Sequence, residues 1–304
     1  MTDDGGGQPP PETVFSALGN ETRLEILFTL HGRASGWSRS DDAVPYSELQ
    51  SAVGEDDSGK FNYHLSRLTD HFVEKRPGGY AIQYAGKNFV RAALASYGVE
   101  ESSFGPTEVD AACFRCGGDV VVEYNGERLM TRCADCPGAF DLDYTPDGTL
   151  SAVPVQPGGI ADTDQNRLLE RIHARFCHRA RTYVDGACPR CGGEMDRDLV
   201  GCADHDGSDG PCPNCSTSMA AYFDCQCSVC GQSGLIPPVV GRSDRDPVAA
   251  ALREAGVDGA GWPLFAEGMA WSDSYDPDAN RVVYDPDAVD YRIGVDASAT
   301  LAKL

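Results

Sequence analysis

Ten of the thirteen cysteines in this 304-residue chain form five C-x2-C pairs, and a sixth pair has C-x2-H spacing. Each pair can present two ligands to one ion, and two pairs complete a closed tetrahedral zinc site. Six pairs therefore predict two or three structural Zn²⁺ ions. The predicted ligands are Cys113, Cys116, Cys133, Cys136, Cys188, Cys191, Cys202, His205, Cys212, Cys215, Cys227 and Cys230.

The first two pairs have the spacing of a zinc ribbon. Cys113/Cys116 and Cys133/Cys136 are separated by sixteen residues. Two strand-like runs, 120–124 and 128–131, lie on either side of Asn125-Gly126, which is a hairpin turn signal. The sequence predicts that the two knuckles meet at the end of this hairpin and hold one ion.

The other four ligand pairs lie between residues 188 and 230, and the sequence does not fix which of them share an ion. In a nested arrangement the outermost pairs share one ion and the two inner pairs share another. In a cross-brace, alternate pairs share an ion. We favour nesting because the loop 202–215 is short and rich in Asp and Gly. His205 could instead be a solvated side chain of that loop, which would leave the inner site with three ligands or none.

These sites are predicted to be structural rather than catalytic. A catalytic zinc keeps an open coordination position and has a general base nearby. Residues 211–215 (PCPNC) match the second half of the zinc-deaminase signature, but none of the six histidines is followed by Glu two residues later. The chain also has no Walker loop and no G-x-S-x-G motif. We therefore expect no enzyme activity.

Residues 58–80 are predicted to form a DNA-recognition helix followed by a β-wing. Phe61, Leu65, Leu68 and Phe72 recur at helical spacing and give one apolar face, with Ser58 as the expected N-cap. The opposite face and the residues beside the turn at 77–79 carry polar and basic side chains that can reach phosphates or base edges. The candidate DNA-binding residues are Ser58, Lys60, Asn62, Tyr63, Ser66, Arg67, Lys75, Arg76 and Tyr80.

The segments around this helix complete a pattern of three helices, a wing and a final helix. Leu24, Leu27, Phe28 and His31 form the predicted core stripe of the first helix, with Asn20 as its N-cap. Through FSALGNETRLEILFTL and FNYHLSRL, residues 12–97 resemble the ArsR-like winged helix-turn-helix regulators. Haloarchaeal winged-helix proteins resemble the chain over most of its length, including the ribbon region.

The resemblance implies binding of double-stranded DNA by a homodimer. The expected pairing surface is the apolar face of the helix at 88–97, although such a face serves equally as intradomain core. Its residues are Phe89, Val90, Ala93, Leu94 and Tyr97. Metal-sensing members of the family carry thiols in or near the second helix of the motif, and YSELQSAVG has none. A small-molecule effector is not specified by the sequence.

The net charge of −22, from 47 acidic and 25 basic residues, is unevenly distributed. Residues 58–91 have six basic and two acidic residues, and residues 167–181 have five arginines and one glutamate. We interpret the second patch as a solvated or ion-paired helix face, with a second DNA-backbone contact or a subunit contact as alternatives. Strong acidity with few lysines predicts a halophilic protein.

The predicted fold class is α+β and multidomain, with a winged helix-turn-helix, zinc-ribbon β domains and a small C-terminal αβ unit. The predicted segments are a disordered tail (1–11), the DNA-binding domain (12–98), the ribbon and a β extension (105–160), a connecting helix (162–184), a second zinc module (186–240) and the αβ unit (244–304). No signal peptide or membrane span is evident, so we expect a cytoplasmic protein.

Three functions are compatible with these features. The favoured one is a sequence-specific DNA-binding transcriptional regulator with structural zinc. The alternatives are a zinc-stabilised interaction module of the transcription machinery and a redox- or metal-responsive regulator. The fold alone does not choose between them.

Overall fold

The computed structural model describes residues 16–34, 43–69, 71–96, 103–160 and 164–304. The architecture is mixed α+β with several small antiparallel sheets. The chain divides into two compact units, Met1–Val99 and Glu100–Leu304. The predicted tail at 1–11 and Tyr97 of the predicted pairing surface lie outside the described residues.

The N-terminal unit consists of helices around a two-stranded hairpin. Helices α1 (Glu21–Arg33), α2 (Tyr46–Val53) and α3 (Ser58–Thr69) precede strands β1 (Val73–Arg76) and β2 (Gly79–Ile82), and α4 (Tyr84–Ser96) follows. The strands pair antiparallel, and a further bridge joins Val44 to Tyr80. Asn20 caps α1 by accepting a hydrogen bond from the Arg23 N–H, as predicted.

The buried face of α1 differs from the predicted stripe. Ile26, Leu27 and Leu30 are buried, whereas Phe28 is 37% exposed. In this segment, two overlapping sets of apolar residues have helical spacing. The helices packed against α1 decide which of the two sets is buried. The predicted apolar face of α3 is confirmed, because Phe61, Leu65 and Leu68 are at most 1% exposed.

The first sheet of the C-terminal unit is an antiparallel meander in the order β3-β4-β5-β6. Its strands are Phe104–Ala112, Asp119–Asn125, Arg128–Cys133 and Thr149–Pro154. Gly126 and Glu127, both at positive φ, form the tight turn between β4 and β5. The predicted hairpin is therefore present, and the turn brings the two knuckles to the same end of it.

Helix α5 (Gln165–Val184) connects this sheet to a second, three-stranded one. Asp164 caps α5 by accepting from the Arg167 N–H. The first two residues of the predicted connecting helix, 162 and 163, lie outside the described residues. The second sheet pairs β7 (Met195–Gly201), β8 (Ala221–Cys227) and β9 (Ser233–Ile236) antiparallel.

Three short helices and a third sheet complete the unit. The helices are α6 (Pro238–Gly241), α7 (Val248–Glu254) and α8 (Trp262–Ala270), and the sheet is β10 (Ser272–Asp276), β11 (Arg281–Asp285), β12 (Ile293–Asp296) and β13 (Leu301–Lys303). One hydrophobic cluster extends from Cys113 to Ala299 and includes Trp262 and Trp271. Among the described helices, none is long and apolar enough to cross a membrane.

Candidate metal centres and nucleic-acid face

Within the described residues, all twelve predicted ligands lie in three groups of four. In each group the ligand atoms are within 4.8 Å of one another. The first cluster is Cys113, Cys116, Cys133 and Cys136; the outer cluster is Cys188, Cys191, Cys227 and Cys230; the inner cluster is Cys202, His205, Cys212 and Cys215. The last two groups are the nested arrangement favoured from sequence.

The sulfur–sulfur distances fit a shared ion rather than a disulfide. Sγ atoms are 3.8 Å apart in Cys113/Cys136, 3.5 Å in Cys116/Cys133, 3.7 Å in Cys188/Cys230 and 3.6 Å in Cys191/Cys227. A disulfide bond is about 2.05 Å long. Ligands about 2.3 Å from a tetrahedral zinc are about 3.8 Å from one another. Each cluster can therefore hold one ion.

Backbone N–H groups support the thiolates in all three clusters. Gly118 donates to Cys116 and Gly193 to Cys191, each at 3.4 Å from nitrogen to Sγ. In the inner cluster, the Asp206 N–H bonds to the Cys212 Sγ at 3.3 Å. That bond is the largest influence lowering the pKa of Cys212 to about 7. This bond therefore favours the ionised Cys212 sulfur that a metal requires.

His205 is part of the inner cluster rather than a separate solvated side chain. Its Nδ1 lies 3.5 Å from the Cys215 Sγ. The ring also hydrogen-bonds the Ser218 backbone, the kind of outer contact that orients a ligating imidazole. Gly207 permits this position, because a Cβ there would lie 2.7 Å from the His205 Nε2.

The first and inner clusters are joined by direct hydrogen bonds. Arg115, between the first two ligands, donates to the carbonyls of Gly207 at 2.8 Å and Ser208 at 3.4 Å. The segment after Cys136 pairs with the segment after Cys215 through Asp141 N–H to Ser216 O at 2.9 Å and Ser218 N–H to Ala139 O at 2.8 Å. Sequence reasoning missed Arg115, because the carbonyls it contacts are far away along the chain.

The two cysteines outside the clusters are buried in the core. Cys177 on α5 and Cys225 on β8 are both 0% exposed. Burial is the main cause that raises the pKa of Cys177 to about 11 and that of Cys225 to about 12. Both are therefore neutral packing residues.

The outward face of α3 presents most of the predicted DNA-binding side chains. Lys60, Asn62, Tyr63, Ser66 and Arg67 are all exposed. The Arg67 guanidinium lies 5.4 Å from the centre of the Tyr63 ring, and the Ser66 hydroxyl donates to the Tyr63 carbonyl at 2.8 Å. Arg67 and Tyr63 thus form a preorganised pair on this face.

The start of α3 differs from the prediction, because Asp57 rather than Ser58 is the N-cap. The Asp57 carboxylate accepts from the N–H groups of Gly59 at 2.8 Å and Lys60 at 3.0 Å. The Ser58 hydroxyl instead hydrogen-bonds the Gln50 side chain. Both residues are common caps, so the helix start was ambiguous by one position. Residues 55–57 make this helix end acidic, which disfavours a phosphate there.

The hairpin places the other three predicted contacts in different environments. Lys75 is exposed, whereas Arg76 and Tyr80 are half-buried. Arg76 forms an ion pair with Glu74. Tyr80 pairs with Val44 in a β-bridge and lies 6.4 Å from Tyr46, ring centre to ring centre. Lys75 is the most accessible of the three.

The predicted pairing surface on α4 is divided between core and solvent. Val90 is fully buried within the N-terminal unit and Phe89 packs against that core, so neither presents an open apolar face. Leu94 is 55% exposed and Ala93 is half-buried. The buried part of this helix face therefore packs within the N-terminal unit. Such intradomain packing is the alternative to a pairing surface that the sequence left open.

Comparison with known proteins gives two family matches. Residues 11–93 match a model described as a domain of unknown function (DUF7347), and residues 110–302 match one described as a domain of unknown function (DUF7351). No curated protein and no solved structure matches the chain.

Proposed function

We propose that this chain, which belongs to the family described as a domain of unknown function (DUF7351), is a sequence-specific DNA-binding transcriptional regulator with structural zinc. The observation that supports the proposal is that α3 is amphipathic, with one apolar and one polar side. One side is fully buried in the unit core, and the other presents a lysine, an arginine and polar side chains to solvent.

The N-terminal unit is interpreted as a winged helix-turn-helix of the ArsR-like kind. In that reading α2 and α3 are the helix-turn-helix, α3 enters the major groove and the β1–β2 hairpin is the wing. Asn62 and Arg67 have the side-chain chemistry to bond base edges, and Tyr63 orients Arg67. Lys75, which is exposed on the hairpin, is the proposed contact with the DNA backbone. The proposed active form on DNA is a homodimer.

We propose Zn²⁺ as the ion of all three clusters. Two all-thiolate sets and one set of three thiolates and an imidazole are ligand sets typical of closed structural zinc sites. Cys133 is the last residue of β5 and Cys227 the last residue of β8, so the ions would stabilise the fold rather than perform chemistry. Elemental analysis of the purified protein should give three zinc ions per chain.

The test is recovery of genomic DNA by the purified protein in molar KCl, followed by sequencing. We expect a small set of enriched sites that share a two-fold motif. Arg67→Ala should abolish the enrichment, because it removes an exposed group of α3 that is proposed to read base edges. Zinc content should stay unchanged in this variant.

Arg253→Ala is the matched control, since it removes one exposed arginine that is ion-paired with Asp246 in the other unit. It should retain the motif. An operator footprint that survives Arg67→Ala would show that α3 is not the reading helix. Uniform or absent DNA recovery by folded, zinc-loaded protein would instead favour the interaction-module function.

A further inference from the structure

One glutamine joins the end of α2 to the start of α3. The Gln50 carbonyl accepts from the N–H of Gly54, the left-handed residue that ends α2, at 3.1 Å. The Gln50 side-chain Nε2 donates to the Glu55 carbonyl at 2.8 Å and to the Ser58 hydroxyl at 3.1 Å. Its Oε1 lies 3.3 Å from the same hydroxyl. The main chain of Gln50 therefore closes one helix, and its side chain holds the first residue of the next.

Tyr46 lies four residues before Gln50 and contacts the same end of α3, because residues four apart share one side of a helix. Its hydroxyl donates to the Ser58 carbonyl at 3.1 Å. Its ring meets the buried Phe61 ring edge-on, with 5.1 Å between centres. Tyr46 and Gln50 are both half-buried. These two residues are called the α2 clamp below, because together they bond both the carbonyl and the hydroxyl of Ser58.

The same segment also contacts the hairpin. Val44, two residues before Tyr46, exchanges two backbone hydrogen bonds with Tyr80 of β2, each 2.9 Å long. The Tyr46 and Tyr80 rings are 6.4 Å apart between centres. Gly79 permits this approach, because a Cβ there would lie 2.1 Å from the Val44 carbonyl oxygen. Residues 44–50 therefore contact both elements that are proposed to meet DNA.

The turn between α2 and α3 offers little to a phosphate. Its last three residues are acidic: Glu55, Asp56 and Asp57. The Asp57 carboxylate already accepts from the N–H groups of Gly59 and Lys60, which a phosphate at the helix start would otherwise use. The orientation of this helix end therefore depends on contacts within the protein. The apolar side of α3 fixes which face points outward, and the α2 clamp fixes where the helix starts.

We propose that Tyr46 and Gln50 are positioning residues that orient α3, and with it the wing, for reading base edges. The inference rests on the proposed function, in which Asn62 and Arg67 are the reading side chains. Asn62 lies about 6 Å along the helix axis from Ser58, since each residue adds about 1.5 Å. A change in the direction of α3 at Ser58 therefore moves both reading side chains. Phosphate contacts carry no sequence information, so binding to unrelated DNA depends less on this geometry.

The test compares the affinities of the full-length protein for an enriched duplex and for a scrambled duplex of equal length. Gln50→Ala should lower the ratio of the two affinities by about tenfold, because losing one or two net hydrogen bonds leaves α3 correctly oriented in a smaller fraction of molecules. Tyr46→Phe removes only the bond to the Ser58 carbonyl and should lower the ratio by about threefold. The affinity for the scrambled duplex should change little in either variant.

Two controls separate positioning from stability. Ser51→Ala changes an exposed residue next to Gln50 on the same helix and should keep the wild-type ratio. Ile26→Val makes the buried core of the same unit smaller and removes no hydrogen bond of the α2 clamp. It should lower the melting temperature and leave the ratio unchanged. Tyr46→Phe keeps the ring packing, so its ratio alone decides the question if thermal melting shows that Gln50→Ala is unfolded.

The outcomes distinguish this proposal from the proposed function. Selective binding by wild type, with an unchanged ratio in Gln50→Ala and Tyr46→Phe, would overturn only the role of the α2 clamp. Equal losses on both duplexes in these variants, as a smaller folded fraction produces, would leave the two residues a purely structural role and overturn it as well. Absence of selective binding by wild type would overturn the proposed function, and this inference with it.

Discussion

His173 is a fully buried histidine whose ring is held in one tautomer by two hydrogen bonds. Its Nδ1 lies 2.9 Å from the Leu169 carbonyl, which can only accept, so Nδ1 carries the proton. Its Nε2 therefore accepts from the Ser151 hydroxyl at 3.0 Å. The rings of Trp262 and Phe265 pack against it at 4.9 and 5.1 Å between centres. Burial lowers the pKa of His173 to about 4.

This histidine should make the protein less stable in acid. In the unfolded chain the His173 side chain binds a proton near pH 6.5, whereas in the folded chain it binds one only near pH 4. The stability is therefore complete above pH 6.5 and is lost as the pH falls toward 4. The free energy of unfolding in urea should drop by roughly 2 kcal/mol between pH 7.5 and 5 from this residue alone.

His173→Gln isolates that contribution, because acid also protonates the thiolates of the clusters in every variant. The glutamine variant should lose less stability than wild type over this pH interval. His178→Gln, an exposed change on the same helix, should keep the wild-type slope. Equal pH slopes for all three proteins would mean that His173 does not titrate as its burial requires.

His173 also shows what residue spacing leaves out. The neighbouring apolar residues Leu168, Leu169 and Ile172 lie on the same side of α5 and are buried. The ring itself is enclosed by residues of α8, which follows much later in the chain. Local spacing predicts which side of a helix is apolar, but not which distant element covers a polar residue on that side.

At the scale of elements, Arg115 should couple metal binding in the first and inner clusters. It lies in the first knuckle and bonds the carbonyls of Gly207 and Ser208, which lie between His205 and Cys212 of the inner cluster. Loss of the ion from either cluster should therefore weaken the binding of the ion in the other cluster. Arg115→Ala should speed zinc release to a chelator from two of three sites, by about tenfold for a lost contact of 1–2 kcal/mol.

Arg190→Ala is the matched control, because Arg190 occupies the same position in the first knuckle of the outer cluster and is exposed. It should leave all release rates unchanged. The measurement is stopped-flow chelator competition, with the number of fast-releasing ions counted from the amplitude. Acceleration of a single ion, rather than two, would show that the bridge does not couple the clusters.

The elements were more predictable than their connections. The ribbon hairpin, the apolar face of α3 and the four-ligand groups follow from turn residues, helical spacing and the short 202–215 loop. The link between the first and inner clusters does not, because it depends on backbone pairing of 139–141 with 216–218. That pairing uses N–H and C=O groups that every residue has, so no residue type marks it.

At the scale of the whole molecule, the net charge of −22 should make folding depend on salt. Repulsion between like charges is stronger in the compact chain than in the unfolded one. The Debye length falls from about 10 Å at 0.1 M salt to about 3 Å at 1 M. We therefore expect the urea midpoint to rise steeply between about 0.1 and 0.5 M KCl and to flatten above that range.

Screening and a general strengthening of apolar burial predict different curves. Screening saturates once the Debye length is shorter than the distances between surface charges, whereas the effect of excluded salts on apolar burial continues to grow with concentration. Potassium sulfate at matched ionic strength should therefore give the same early rise as KCl and diverge only later. A midpoint that rises linearly from the lowest concentration, with sulfate ahead throughout, would assign the salt requirement to the core rather than to the acidic surface.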